Sequence, residues 1–353
     1  MHLYSRKVLI KENCDELIPS YLRFVKGVID CEDLPLNISR ETYQDSSLIL
    51  KLRNVVTRRI LKMLEDEMKR DSAKYDKWFA DFSSFLKEGL MSDSENQESL
   101  LKLMRYHTNL DEHSLSLDDY VKKLKPHQKT IYFVTGNSRE QALNSPFMEP
   151  FKGTDFPVLV LNLQIDEIIF QQIQTYKNYT FASVESSYEQ ILKDLGDVKR
   201  KDEPVASALP DEDVAPFSLW LKSELGSHVA KVAISKRIRN VPAVIFGQVS
   251  SSMRVVMAMM ESSQGMTEVN RNNTLEINPE HPVIVKLNRL RKADAKKAST
   301  LAKIMLDNIL MQSGIPYNIQ ESAKRNIEVM NEYVQKITSV QEGKRMIEEA
   351  KNH

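Results

Sequence analysis

Three short runs in the middle of the chain limit its architecture more than any other feature. "TIYFVTG" at 130–136 and "PVLVLN" at 157–162 read as buried strands, and "YTFASV" at 179–184 reads as a third strand. Helical patterns separate them. "SREQALNSPFMEPF" at 138–151 is interrupted by Pro146 and Pro150, and "IDEIIFQQIQTY" at 165–176 is uninterrupted. Strands alternating with helices imply a small, mostly parallel sheet covered by helices.

At 353 residues the chain has room for two or three domains. The block before this alternation runs to about His127. It opens with a strand at 3–10, a helix at 15–24 and a strand at 25–31, and long helices follow. Leu48, Leu52, Val56, Ile60 and Leu64 recur every four residues, which is one face of an amphipathic helix. Tyr75, Trp78, Phe79, Phe82 and Leu86 make a second such face, and Leu100, Leu103 and Met104 a third. Residues 186–216 are charged and proline-bearing and read as a linker. The last block starts near Phe217. A helix there leads into two strand patterns, "VAKVAISKRI" and "PAVIFGQVS". A methionine-rich segment and "TLEINPEHPVIVKLNRL" follow, then helices near 299–313 and 321–337.

Composition removes several function classes. Lys plus Arg equal Asp plus Glu, 49 against 49, so no net field favours nucleic acid or an anionic membrane. No apolar run approaches the ~20 residues of a membrane span. Cys14 and Cys31 fit no metal-ligand spacing, and the seven histidines form no recognisable ligand set, so no metal site is expected. There is no phosphate-cradling glycine loop and no acid–base pair of recognisable spacing.

Any phosphate chemistry must then come from a local site, and "VIDCEDLPLNISRE" at 28–41 offers one. Asn37 and Ser39 are good N-cap residues, so a helix start is expected there. Arg40 and Gln44 fall one turn apart on that opening. A helix N-terminus already attracts anions, and the guanidinium fork and the amide add to it. The dipole makes Arg40 unfavourable for the helix itself. Two readings stand: a pairing with Glu32, Asp33 or Glu41 that pins the loop, or an arginine aimed at an outside anion, as an arginine finger is.

Two further patterns point to surfaces. Met253, Val256, Met257 and Met260 fall at i, i+3, i+4 and i+7 between serine-rich flanks. Methionine suits a surface that must fit many apolar partners, and the same stripe also suits a core helix. Near the end, Ile327, Met330, Val334 and Ile337 step by three, four and three, as in a coiled-coil seam. The preceding helix, with Leu301, Met305 and Ile309 among its apolar residues, is apolar nearly all round. Such a helix pair calls for a twin, in a homodimeric four-helix bundle.

"LYSRKVLI", "LIPSYLRFVKGVIDCEDLPLNISRE", "YFVTGNSREQALNSPFMEPF" and "TLEINPEHPVIVKLN" together resemble the heat shock protein 90 family, along nearly the whole chain. The resemblance implies the remainder of a middle domain followed by a C-terminal dimerisation domain, with the N-terminal ATPase domain outside the sequence. It implies that Arg40 reaches the γ-phosphate of ATP held by that domain, with Gln44 as its companion. It implies ATP and Mg in the full-length protein, none bound by this fragment, and no hydrolysis by the fragment alone. Met253 and Met257 match client-contacting methionines, while Val249 stands where some members carry tryptophan. The opening "LYSRKVLI" is most similar to mitochondrial members. Lys351-Asn352-His353 is neither the acidic cytosolic tail nor an ER-retention signal. A mitochondrial address is therefore expected, with the bacterial cytoplasm as alternative.

The expected fold is a helix-rich, multidomain α+β or α/β chain with small αβα sandwich segments and a C-terminal helical dimerisation domain. Its boundaries are placed at 1–127, 128–185, 186–216 (linker) and 217–353. The expected function is that of an ATP-dependent chaperone, with non-native clients, its own ATPase domain and a second copy as partners. A non-enzymatic dimeric scaffold is the rival reading.

Overall fold

The computed structural model describes residues 1–32, 46–196, 208–235, 238–246, 273–313 and 317–351. The chain divides into two compact units, Met1–Leu143 with Gly153–Ser183, and Asn144–Lys152 with Val184–His353.

The first unit opens with β1 (His2–Ser5) and β2 (Val8–Lys11), antiparallel neighbours, and β3 (Val28–Asp30) pairs parallel to β1 on its other side. A single strand was expected over 3–10. A turn divides it at Arg6 and Lys7, at φ 50° and 65°. Positive φ at both turn positions is the tight-hairpin geometry, usually signalled by Asn or Gly, and neither residue is present to mark it. The helix expected over 15–24 is two 3-10 turns, Asp15–Leu17 and Ser20–Leu22. Pro19 accounts for the break. It lacks the N–H that a continuing helix needs, and Ile18 before it is extended at φ −140° and ψ 151°.

Then come α1 (Ser46–Arg70), α2 (Ser72–Ser92) and α3 (Gln97–Leu103). Asp71 separates the first two and caps the second, accepting from the Lys74 N–H at 2.9 Å. Ile60, Leu61, Leu64 and Met68 of α1 meet Tyr75, Phe79, Leu86 and Leu90 of α2 in one core. The four-residue apolar recurrence of this region is therefore a genuine helix face. Gly89 lets α2 approach Tyr21, since a Cβ there would lie 2.8 Å from the ring.

A six-stranded sheet completes the unit. In chain order its elements are β4 (Arg105–Thr108), β5 (Leu115–Ser116), α4 (Leu117–Lys122), β6 (Thr130–Thr135), α5 (Arg139–Leu143), β7 (Leu159–Leu161), α6 (Gln164–Ile173), β8 (Thr175–Tyr176) and β9 (Tyr179–Ser183). The strand order is β5-β4-β7-β6-β9-β8. The central β7-β6-β9 trio is parallel, with Phe133 opposite Leu159 and Ile131 opposite Phe181. The remaining pairs are antiparallel, so the sheet is mixed rather than mostly parallel. The expectation missed β4, β5 and β8 because strands of two to four residues leave almost no periodicity to read. Lys87 and Asp166 form an ion pair at 2.8 Å within this unit, with side chains 7% and 3% exposed.

The second unit contains α7 (Tyr188–Leu195), α8 (Asp211–Leu225), β10 (Lys231–Ile234), β11 (Ala243–Phe246), β12 (Thr274–Ile277), α9 (Pro282–Ala293), α10 (Ala295–Gln312) and α11 (Ile319–Lys351). Helices thus occupy parts of the stretch read as a linker, and α7 buries Ile191. β12 lies between β10, its parallel neighbour, and β11, its antiparallel one. Glu149, in the 3-10 segment Pro146–Phe151, accepts the Arg239 and Asn240 N–H groups at 2.7 and 3.0 Å. Phe217, Leu221, Ile245, Leu275, Ile284, Ala302 and Leu306 build the unit's core. Pro282 sits in the first turn of α9, where its missing N–H costs nothing. Asp294 caps α10 through the Lys297 N–H at 3.0 Å. The whole is a helix-rich α+β multidomain fold, as expected.

Candidate functional site

Arg40 and Gln44 lie outside the described residues; the frame that carries them does not. The chain leaves β3 through Cys31 and Glu32 and is described again from Ser46, the first residue of α1. Ile29 and Cys31 on one side, and Leu48, Ile49 and Leu52 on the other, share an apolar cluster with Leu3, Cys14 and Leu17. Both ends of the 33–45 segment are therefore pinned to the same small core.

Met253, Val256, Met257 and Met260 also lie outside the described residues. Here too the frame is informative. Phe246, the last residue of β11, pairs with Thr274, the first of β12. The segment that carries the methionines thus leaves from and returns to the same end of the three-stranded sheet.

The candidate assembly surface is described. Met305 and Ile309 face the unit's own core, at 7% and 6% exposure, and Leu301 is at the surface. Ile327, Met330, Val334 and Ile337 are 55%, 59%, 60% and 41% exposed. These four side chains line up on α11 without a covering layer, which is unusual for an apolar stripe with such regular spacing. Every residue from 330 to 339 is exposed, so α11 projects away from the core beneath its first turns. The exit is fixed by Arg325, which donates to both oxygens of the buried Asp307 carboxylate at 2.8 and 3.0 Å. Lys297 and Glu332 add an ion pair at 3.0 Å between exposed side chains.

Met311, one of the apolar residues read on the preceding helix, extends the exposed apolar surface at 56%; Ile319 and Tyr333, which sequence reasoning missed, extend it further at 69% and 66%. Tyr333 lies three residues beyond Met330 and so shares its side of the helix, although the three-four-three stepping passes through Val334 instead. Nothing in the sequence signals the Arg325–Asp307 pair, because the two residues sit on different helices.

Burying one such side chain fully is worth roughly 1.5–3 kcal/mol, and association costs about 4–15 kcal/mol. The four side chains are 41–60% exposed, so burying the exposed part on two copies would return a gain of the same order as that cost. Elsewhere, among the described residues, no group of three or more His, Cys, Asp or Glu is placed to hold a metal, and no helix is long and apolar enough to cross a membrane.

The second of two compact units thus ends in a helix that carries an exposed apolar stripe. The family model described as "Hsp90 protein" matches residues 1–353. The chain belongs to the heat shock protein 90 family. It is 35% identical over 340 residues to the chaperone protein HtpG of Desulfotalea psychrophila, covering 95% of this chain and 54% of that one. With the HtpG of Desulfitobacterium hafniense the identity is 37% over 337 residues, covering 94% and 53%. With the mitochondrial heat shock protein 75 kDa of Rattus norvegicus it is 33% over 320 residues, covering 89% and 45%. The chain spans about half the length of the curated relatives it matches. Bacterial and mitochondrial relatives both appear, consistent with either compartment.

Proposed function

We propose that this chain is the client-holding and dimerising portion of an ATP-dependent chaperone. The observation that carries the reading is the exposed stripe Ile327, Met330, Val334 and Ile337 on a chain that matches the family from end to end. Two copies joined through α11, together with the exposed part of α10, make a clamp. The methionine segment, with Met253, Val256, Met257 and Met260, offers clients a soft apolar surface. In this reading residues 1–127 and 128–185 are parts of a middle domain, residues 186–216 connect, and residues 217–353 dimerise.

Arg40 and Gln44 serve an ATPase domain supplied by the rest of the longer protein. ATP and Mg belong to that full-length molecule, whose phosphate chemistry the bound nucleotide and ion would support. The part of this chain is to present a guanidinium where negative charge develops on the γ-phosphate, a contribution that can be worth ~10³ or more in rate. Anchoring both ends of the 33–45 segment in one apolar cluster supports such a role, because a positioned charge needs a rigid base. The resemblance of the opening "LYSRKVLI" to mitochondrial members supports a mitochondrial compartment, with the bacterial cytoplasm as alternative.

The rival reading, a dimeric scaffold without a client cycle, uses the same α11 stripe. Suppression of aggregation of a model client separates the two. The wild-type chain protects the client, and Met253→Ser with Met257→Ser protects it measurably less. Equal protection by both proteins would favour the scaffold.

A further inference from the structure

In the second unit, the turn from β12 into α9 is a knot of backbone hydrogen bonds with one imidazole in it. His281 is the N-cap of α9, and its Nδ1 accepts the Val283 N–H at 3.2 Å. Pro282 brings no N–H to that first turn, so Val283 carries the first donor that the helix must satisfy. The His281 carbonyl accepts the Ile284 and Val285 N–H groups at 2.9 and 3.2 Å, and the His281 N–H donates to the Asn278 carbonyl at 3.2 Å. Ring and backbone together set where α9 begins.

The same turn grips the crossing at 239–242, which leads into β11. Asn278 donates through Nδ2 to the Arg239 carbonyl at 2.7 Å and through its backbone N–H to the Pro242 carbonyl at 2.8 Å. The Asn240 carbonyl lies beside the His281 ring as an acceptor. Glu149 accepts the Arg239 and Asn240 N–H groups of that crossing.

A cap nitrogen that accepts belongs to a neutral ring. Imidazolium has donors on both nitrogens, so protonation ends the bond to Val283. It also places a positive charge at a helix N-terminus, where the dipole opposes it. The ring is half-buried, and burial holds its pKa below the ordinary histidine value, against the pull of the Asn240 carbonyl. The charged residues of the elements around it are Glu280 on the turn, Lys286 on α9, Arg239 on the crossing, Glu149 on the 3-10 segment, and Asp211 at the start of α8, near the Leu209 N–H that donates to the Pro279 carbonyl at 2.8 Å. Among the described residues none of these charges shifts the ring. A ring kept neutral by the fold gives stability that is complete above the unfolded histidine value, about 6.5, and is lost as pH falls through the lower native value.

We propose that His281 is a pH-sensitive clasp: its protonation uncaps α9 and loosens the 239–242 crossing that the same turn holds. The clasp is independent of the chaperone reading above. Hydrogen exchange of the full chain, read by mass spectrometry at about pH 7.5 and about pH 5, on either side of the histidine range, tests it. After correction for the intrinsic pH dependence of exchange, peptides covering 239–245 and 279–286 are expected to lose about fivefold in protection at the lower pH, the worth of one helix cap. His281→Asn, a good cap residue that does not titrate, should keep its protection at both pH values. His281→Ala should show the lowered protection at both. Circular dichroism checks that each variant is folded. Exchange of the carbon-bound hydrogen of the His281 ring, followed in the same samples, should titrate below about 6.5. Wild-type protection in these peptides that is the same at both pH values overturns the proposal. So does a loss at low pH that is equally large in folded His281→Asn.

Discussion

Arg325 holds Asp307 with a two-nitrogen grip, Nε at 3.1 Å and Nη2 at 2.8 Å from the same carboxylate oxygen, and this ties α11 to α10. Asp307 is only 9% exposed at its side chain. Arg325→Ala leaves that charge buried without its partner, which typically costs about 3–5 kcal/mol. The expected result is a lower midpoint in urea unfolding. Weaker self-association is expected as well, because the exit of α11 is no longer fixed. Replacing both residues, Asp307→Leu with Arg325→Met, should recover most of the stability.

The Lys87–Asp166 pair behaves similarly in isolation and differently with pH. Burial pushes the Asp166 carboxyl up, and Lys87 and the Tyr106 hydroxyl counter only part of that. A carboxyl with a raised native pKa binds its proton more tightly when folded. Its contribution to stability therefore falls as pH rises from the unfolded carboxylate value, about 4, through the raised native one. Lys87→Met with Asp166→Leu should abolish that dependence and at pH 7 be neutral or stabilising by about 1–4 kcal/mol. Urea midpoints measured across this pH range for both proteins check it.

Gly89→Ala sets two effects against each other. Alanine gains up to about 1 kcal/mol of helix propensity over glycine. The new Cβ would meet the Tyr21 ring at 2.8 Å, and that ring is fixed by its hydroxyl, which donates to Asp93 at 2.7 Å. Overpacking costs about 1–3 kcal/mol, so a net loss is expected in thermal unfolding. Adding Tyr21→Ala should relieve the clash and make the alanine at position 89 neutral or favourable in that background.

Arg40→Ala in the longer protein is expected to lower ATP turnover by ~10³ while nucleotide affinity changes little. Steady-state hydrolysis together with equilibrium nucleotide binding checks both halves of that statement.

The sequence carried much of this fold where side-chain periodicity is long. The faces of α1 and α2 and the buried run of β6 were readable because each spans several repeats of its own period. The Arg6–Lys7 turn and strands β4, β5 and β8 were not, since a strand of two to four residues shows almost no period and the turn lacks its usual residues. The apolar face of α10 was legible as apolar, but not its division. Met305 and Ile309 went inward and Leu301 outward because tertiary packing, rather than residue type, decides which side of such a helix is covered. The stripe on α11 was fully legible, since its spacing survives without a core to define it. The Arg325–Asp307 grip depends on contacts between helices and leaves no mark in either segment.

Sedimentation of the chain beside Met330→Asp with Val334→Asp tests the central claim most directly. Both positions are about three-fifths exposed, at 59% and 60%, so the fold of each copy is left alone. A wild-type dimer and a folded monomeric variant are predicted. A wild-type monomer, or a variant that dimerises as well as wild type, would contradict the account of a clamp joined through its last helices.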